Sequence, residues 1–213
     1  TNQVYYFDEE TKRIRQDLED LGIEEIESDS FHARKSLAYT LSYLFKDQDQ
    51  VTFTEEFRHL ARDLTHPEDF PKKPLNIKAE LRDYQKKGIQ WLQMLHHYGF
   101  GGILADDMGL GKTLQAIAFL SSQLKDDSRV LILAPSGLIY NWADEFEKFA
   151  PDIDVAVVHG LKPYRETVLA ENHQIYLTSY ATFRQDSDLY KQMSFDFLFL
   201  DEAQVMKNAQ TKI

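Results

Sequence analysis

The chain has 213 residues, enough to bury a full core in one or two domains. It holds no cysteine, which excludes a disulfide framework and a thiolate metal site and suits a reducing compartment, and no apolar run approaches the ~18 residues of a membrane span. A net charge of −11 argues at first against nucleic acid, yet residues 1–70 carry 17 acidic and 8 basic side chains and the rest 18 and 16, so the acidity belongs mainly to the leader.

There is no signal-peptide pattern at "TNQVYYFDEETKR", and the missing initiator Met and abrupt end at "NAQTKI" suggest a piece of something longer. The leader reads as helical. "TKRIRQDLEDLGI" places Ile14, Leu18 and Leu21 on one face with Gly22 as a stop. "FHARKSLAYTLSYLF" repeats this with Leu37, Leu41, Leu44 and Phe45. "TFTEEFRHLARDL" opens with a capping-box pairing of Thr52 and Glu55, then Phe57, Leu60, Ala61 and Leu64. Tyr5, Tyr6, Phe7, Tyr39 and Tyr43 are expected to pack, and not to stack on bases. Pro67, Pro71 and Pro74 then crowd "HPEDFPKKPLNIK", which forbids a continuous helix or central strand and marks a domain boundary. The expected division is a helical acidic accessory region at 1–70, a Pro-rich linker at 71–77 and a larger domain at 78–213.

Beyond the prolines, short apolar runs recur at 101–105 ("GGILA"), 130–134, 155–159, 175–179 and 197–201, separated by amphipathic stretches such as "TLQAIAFLSSQL" and "GLIYNWADEFEKF". Runs apolar on both faces that alternate with helices predict an α/β fold, with a mainly parallel sheet flanked by helices and preceded by the helical leader. Trp91 and Trp142 fall on helical stripes and read as core. The seven histidines show no metal spacing.

Two strand ends carry chemistry. "DDMGLGKT" lies between an expected strand and an expected helix, the context a phosphate-binding loop requires. Gly109 and Gly111 can adopt backbone angles other residues avoid and present N–H groups to phosphate oxygens at a helix start. Lys112 can reach the β and γ phosphates, and Thr113 can offer its hydroxyl to Mg²⁺. The loop departs from G-x-x-x-x-G-K-[ST] at Asp106, which stands where the first glycine belongs, and Asp107 adds a second carboxylate. Both carboxylates are expected to point away from the phosphates. At the second strand end, "FDFLFLDEAQ" delivers Asp201 and Glu202, one acid for the metal of a Mg²⁺–triphosphate and one for the attacking water.

The segments "LRDYQKKGIQWL" (81–92), "ADDMGLGKT" (105–113), "LAPSGLIYNWADEF" (133–146), "VVHG" (157–160), "YLTSYATF" (176–183) and "FLDEAQVMKN" (199–208) occur in order. This series closely resembles the first RecA-like lobe of Swi/Snf-type ATPases of helicase superfamily two, over residues 78–213. The resemblance implies that Gln85 recognises adenine and that Asp107, Met108, Gly109, Leu110, Gly111, Lys112 and Thr113 hold the nucleotide. It also implies that Thr113 and Asp201 hold Mg²⁺, partly through water, and that Glu202 is the catalytic base, with Asp201 and Lys112 completing the catalytic set. Ser136, Gly137, Thr178 and Ser179 match stretches that hold DNA by its backbone. Asp83 stands where the family usually has proline. "DEAQ" replaces the commoner "DEAH", so Gln204 takes the histidine's part, and together with Lys207 and Asn208 it resembles bacterial members.

The function so implied is ATP hydrolysis coupled to movement on double-stranded DNA, with ATP and Mg²⁺ as cofactors. A second RecA-like lobe carrying arginine fingers is expected outside these residues, so the piece alone should be near-inactive. The acidic leader is expected to dock a protein partner. No membrane is expected, and the location is cytoplasmic and nucleoid-associated in a bacterium, nuclear in a eukaryote. Two other readings stay open: a strand-separating helicase on DNA or RNA, and a non-catalytic nucleotide-binding interaction module.

Overall fold

A computed structural model describes residues 9–27, 30–49 and 51–206; Tyr5, Tyr6, Phe7, Lys207 and Asn208 lie outside the described residues. The chain divides into two compact units, Thr1–Pro71 with His97–Gly99, and Lys72–His96 with Phe100–Ile213.

In the first unit, α1 spans Glu9–Asp20 and stops at Gly22, whose φ of +67° accepts the left-handed turn that closes a helix. The leader is not all helical. β1 (Glu24–Glu27) pairs antiparallel with β2 (Ser30–His32), so the expected helix from Phe31 is delayed to α2 (Ala38–Leu44). The third helix, α3, spans Glu55–Thr65, and its cap is Thr54, not the expected Thr52. Thr54 Oγ1 accepts the Phe57 N–H at 3.3 Å, because only Thr54 immediately precedes the first helical residue. Leu18, Ile23, Leu41 and Phe45 form the core of this unit, which α1, α2 and the following loop bury together. Tyr39 and Tyr43 differ from expectation. They lie one turn apart on the outer face of α2 and are exposed, Tyr43 at 65%. Asp63, buried in α3, is satisfied by Arg62 at 2.8 Å and by the Tyr98 hydroxyl at 2.7 Å.

The second unit contains α4 (Asp83–Tyr98, less its last two residues), α5 (Lys112–Gln123), β3 (Val130–Ala134), α6 (Ile139–Phe149), β4 (Val155–Val158), α7 (Lys162–Ala170), β5 (Ile175–Ser179), α8 (Tyr180–Gln185), α9 (Ser187–Tyr190) and β6 (Phe197–Leu200). The sheet is wholly parallel in the order β4-β5-β3-β6. Period-two geometry sorts its side chains. Val130, Ile132, Ala134, Ile175 and Leu177 face α5 and α6, whereas Leu131, Leu133, Tyr176, Ala156 and Val158 join Val168 of α7 and Tyr190 of α9. Helices therefore cover both faces, and the two central strands are buried throughout, which is why they read as continuous apolar runs.

The expected strand at 101–105 is not one. Among the described residues the run pairs with no strand, and Ile103 is 86% exposed. Gly102 explains its course, since a Cβ there would lie 2.5 Å from Leu95 and 3.0 Å from Trp91, so the glycine lets the backbone press against α4. β6 correspondingly keeps one side uncovered, with Leu198 58% exposed.

Burial pushes the hydroxyls of Tyr98, Tyr180 and Tyr190 from 10.0 up to about 12, with nearby carboxylates adding to the shift. A tyrosine whose folded value is raised holds its proton more tightly folded than unfolded. Stability from these groups is therefore complete below pH 10 and is lost as pH rises through about 12. Melting temperature should be flat on the alkaline side of neutrality and fall steeply above pH 10 as tyrosinate absorbance appears. Tyrosinate formation by all eleven tyrosines near pH 10 with no loss of stability would contradict this burial.

Candidate functional site

Because every strand of the sheet is parallel, the segments after β3, β4, β5 and β6 leave by one edge, where ligands of open α/β sheets bind. α5 begins at Lys112 behind Gly111, whose φ of +76° is left-handed, as is that of Gly109 at +84°. A Cβ on Gly111 would stand 2.6 Å from Gln85 Nε2, so this position needs glycine for both conformation and space. Gln85, buried in α4, donates that amide nitrogen to Leu110 O at 3.2 Å and accepts the Arg82 N–H at 2.9 Å. One of its N–H groups thus ties α4 to the loop and one lone pair holds the residue before the helix, so half of its amide capacity is engaged. Tyr84 adds a second tether to Leu110 O at 3.1 Å.

Lys112 Nζ folds onto the loop, donating to Asp106 O at 2.8 Å and Asp107 O at 3.2 Å. The Asp106 carboxylate accepts the Gln115 Nε2 proton at 2.8 Å, so it is paired with α5. Asp107 and Met108 are exposed, and Leu110 and Thr113 half-buried. Gln115 was not foreseen. It is fully buried among Ala116, Ile117 and Phe119, and a Cβ on Gly88 would collide with its Oε1, which accounts for a glycine inside α4. A polar residue in an apolar helical stretch and a glycine mid-helix were the available signals. Asp83, where proline is usual, is the first residue of α4, a position that suits either residue. Gly111→Ala should cost about 1–2 kcal/mol of stability from the left-handed backbone alone and also expel Gln85 from the loop. ATP affinity and melting temperature should fall together; unchanged ATP affinity would contradict the role given to this loop.

At the end of β6, Asp201 is held at three atoms. Its N–H donates to Leu133 O at 2.8 Å, its Oδ2 accepts Trp142 Nε1 at 2.9 Å, and its carbonyl accepts the Tyr180 hydroxyl at 2.7 Å. Trp142 is core, as expected, but its indole N–H also serves the site. Glu202 adopts φ +50°, alone among the described non-glycine residues in having a positive φ, and its carboxylate accepts from the Gln204 amide. Such an angle costs of order 1–2 kcal/mol and points to a functional constraint. Burial raises the Glu145 carboxyl above its ordinary value; Lys148 opposes this and the Asp201 charge adds to it. Among the described residues, no hydrogen bond or ion pair joins the loop to the Asp201–Glu202 pair.

Ser136 and Gly137 are exposed in the turn after β3. Thr178 and Ser179 are placed differently from what a direct strand contact needs. Thr178 is fully buried and donates to Val158 O at 2.8 Å, and Ser179 Oγ caps α8 by accepting the Thr182 N–H at 3.1 Å. Their hydroxyls hold the junction of β5 with α8 from inside, because a buried hydroxyl must find a partner within the fold. His159, after β4, meets Tyr140 edge-on at 6.0 Å.

Residues 84–213 match the family model of the SNF2-related domain. This chain belongs to the SNF2 family. Residues 2–74 of this SNF2 chain match a second model, described as bacterial SNF2 helicase associated. YwqA of Bacillus subtilis, provisionally named an ATP-dependent helicase/translocase, is 40% identical over 172 residues, covering 76% of this chain and 18% of that protein. The chromatin-remodeling ATPase INO80 of Arabidopsis thaliana is 35% identical over 170 residues, covering 70% and 11%. The SWI2/SNF2 ATPase core of Sulfolobus solfataricus, solved in complex with dsDNA, is 40% identical with a TM-score of 0.59, covering 66% of this chain and 30% of that one. The SNF2 chain thus spans under a fifth of these curated relatives. Its parallel sheet flanked by helices matches the RecA-like lobe of that core. No described helix is long and apolar enough to cross a membrane.

Proposed function

We propose that this chain is the ATP-binding lobe of a DNA-dependent ATPase that couples hydrolysis to movement along double-stranded DNA. The observation that carries the reading is the Asp201–Glu202 pair, fixed at the end of β6 with Glu202 in a strained conformation, in a chain whose solved relative was captured with dsDNA. Lys112, released from the loop carbonyls, would meet the β and γ phosphates beside the N–H groups of Gly109 and Gly111. Gln85 would meet adenine with its remaining donor and acceptor. Asp107, Met108 and Leu110 complete the loop. Glu202 would orient and deprotonate the attacking water.

Hard oxygen donors suit Mg²⁺, and Thr113 and the Asp201 Oδ1 not engaged by Trp142 would hold it, partly through water. The bound ion would supply positive charge toward the phosphate oxygens. Exposed Ser136 and Gly137 would touch the DNA backbone, and Thr178 and Ser179 would set the neighbouring β5–α8 junction.

The reading includes the division at 1–70, 71–77 and 78–213, a protein partner for the acidic leader, and a cytoplasmic, nucleoid-associated location in a bacterium. It also includes a second RecA-like lobe whose arginine fingers are worth about 10³–10⁵ in rate, so the 213 residues alone would turn ATP over slowly. Displacement of a third strand from a DNA triplex by the full-length protein, dependent on ATP and without separation of the duplex, is the expected result. Separation of the duplex strands would replace the reading with a helicase.

A further inference from the structure

Tyr180, the first residue of α8, reaches across to the end of β6 through one oxygen. Its hydroxyl donates to Asp201 O at 2.7 Å, whereas β3 holds the nitrogen of Asp201 and α6 its carboxylate. The Asp201 carbonyl belongs to the peptide whose nitrogen is that of Glu202. Because a peptide is planar, turning this carbonyl turns the Glu202 N–H and changes its φ, the angle held at +50°. The grip of Tyr180 therefore acts on the direction of the Glu202 side chain.

The backbone of Tyr180 is anchored at the junction of β5 with α8, which lies beside the exposed Ser136–Gly137 turn because Ser179 pairs with Ala134 at the end of β3. Ser179 caps α8 through Thr182, and Thr178 is tied to Val158 O. Force applied to residues 178–180 has a short, stiff route to the Asp201–Glu202 peptide, through one backbone unit and one aromatic ring. Trp142 offers no equivalent route, because its bond ends on the Asp201 carboxylate and leaves the following peptide free.

We propose that Tyr180 is a positioning residue that couples the β5–α8 junction, beside the exposed turn after β3, to the alignment of Glu202. Occupation of the Ser136–Gly137 turn by duplex DNA presses on that junction, is transmitted through the Tyr180 hydroxyl and brings the Glu202 carboxylate into line for water attack. This rests on the proposed DNA-dependent ATPase reading, and it names the path by which DNA raises the rate, apart from binding either ligand.

Tyr180→Phe removes one oxygen and keeps the ring in place. ATP turnover by the full-length protein would be measured with and without linear duplex DNA, together with the half-saturating DNA concentration and the KM for ATP. The expected result is a fall of about fivefold in the stimulation factor, the size of one neutral hydrogen bond. Half-saturating DNA and the KM for ATP should stay as in wild type. A proportional fall in stimulated and unstimulated rates would make Tyr180 a scaffold residue and overturn the proposal. A raised half-saturating concentration at full stimulation would make it a DNA contact and overturn it as well. Equal stimulation of wild type and variant overturns the coupling alone, whereas a wild-type protein that duplex DNA does not stimulate overturns the ATPase reading and the coupling together.

Discussion

Glu202→Gln in the full-length protein is expected to lower DNA-stimulated kcat by about 10²–10⁴-fold, the range for losing a positioned general base. Glutamine matches the size of glutamate and retains an oxygen that can accept from Gln204, so the left-handed backbone and the turn behind it should survive. What disappears is the ability to take a proton from the attacking water. Such a loss falls on the transition state and spares the ground state, so KM for ATP should change little while kcat collapses. A rise in KM with preserved kcat would show instead that Glu202 serves nucleotide binding. Steady-state kinetics with ATP varied at saturating duplex DNA separates the two.

The second large effect is structural. Arg165 in α7 and Asp186, between α8 and α9, form a bidentate pair at 2.6 and 2.8 Å with both side chains almost wholly buried. Arg165 also donates to Gly160 O in the loop after β4. The Asp186 hydrogen bond raises the guanidinium above its ordinary value against the opposing cost of burial. Arg165→Ala would strand the Asp186 carboxylate in the interior and free the Gly160 carbonyl, a loss of about 3–5 kcal/mol for a broken buried pair. Arg165→Met combined with Asp186→Leu should lose less, since neither charge is then left unpaired. Native-state hydrogen exchange across residues 155–190 reads this locally, with the amides of β4 and α7 deprotected in the single variant. Unchanged exchange there would mean that the pair contributes nothing to the packing of α7.

The same contrast between local pattern and long-range contact governs how much of the molecule was legible beforehand. Val130–Ala134 and Ile175–Ser179 are strands at their expected bounds because a short apolar run between turns has few other uses. "GGILA" has the same texture, yet a strand exists only with a partner, and periodicity carries no information about partners. The β1–β2 hairpin was hidden because its glutamates show no alternation, and Thr52 and Thr54 compete for one cap within three residues.

For the site, residue names could be read from local motifs, but the partners of their atoms could not. Trp142 and Asp201 are 59 positions apart and Tyr180 and Asp201 are 21 apart, so no local spacing links them. Thr178 and Ser179 show the same gap from the other side, their hydroxyls being committed to Val158 and Thr182 inside the fold.

These observations converge on the end of β6, where β3, α6 and α8 hold one aspartate and the glutamate after it is strained. The most direct measurement is the ATP hydrolysis rate of the full-length protein with duplex DNA, with single-stranded DNA, with RNA and with no nucleic acid. The expected result is stimulation by duplex DNA alone, abolished by Glu202→Gln. Stimulation by RNA alone, or equal rates in all four conditions, would contradict a motor that works on double-stranded DNA.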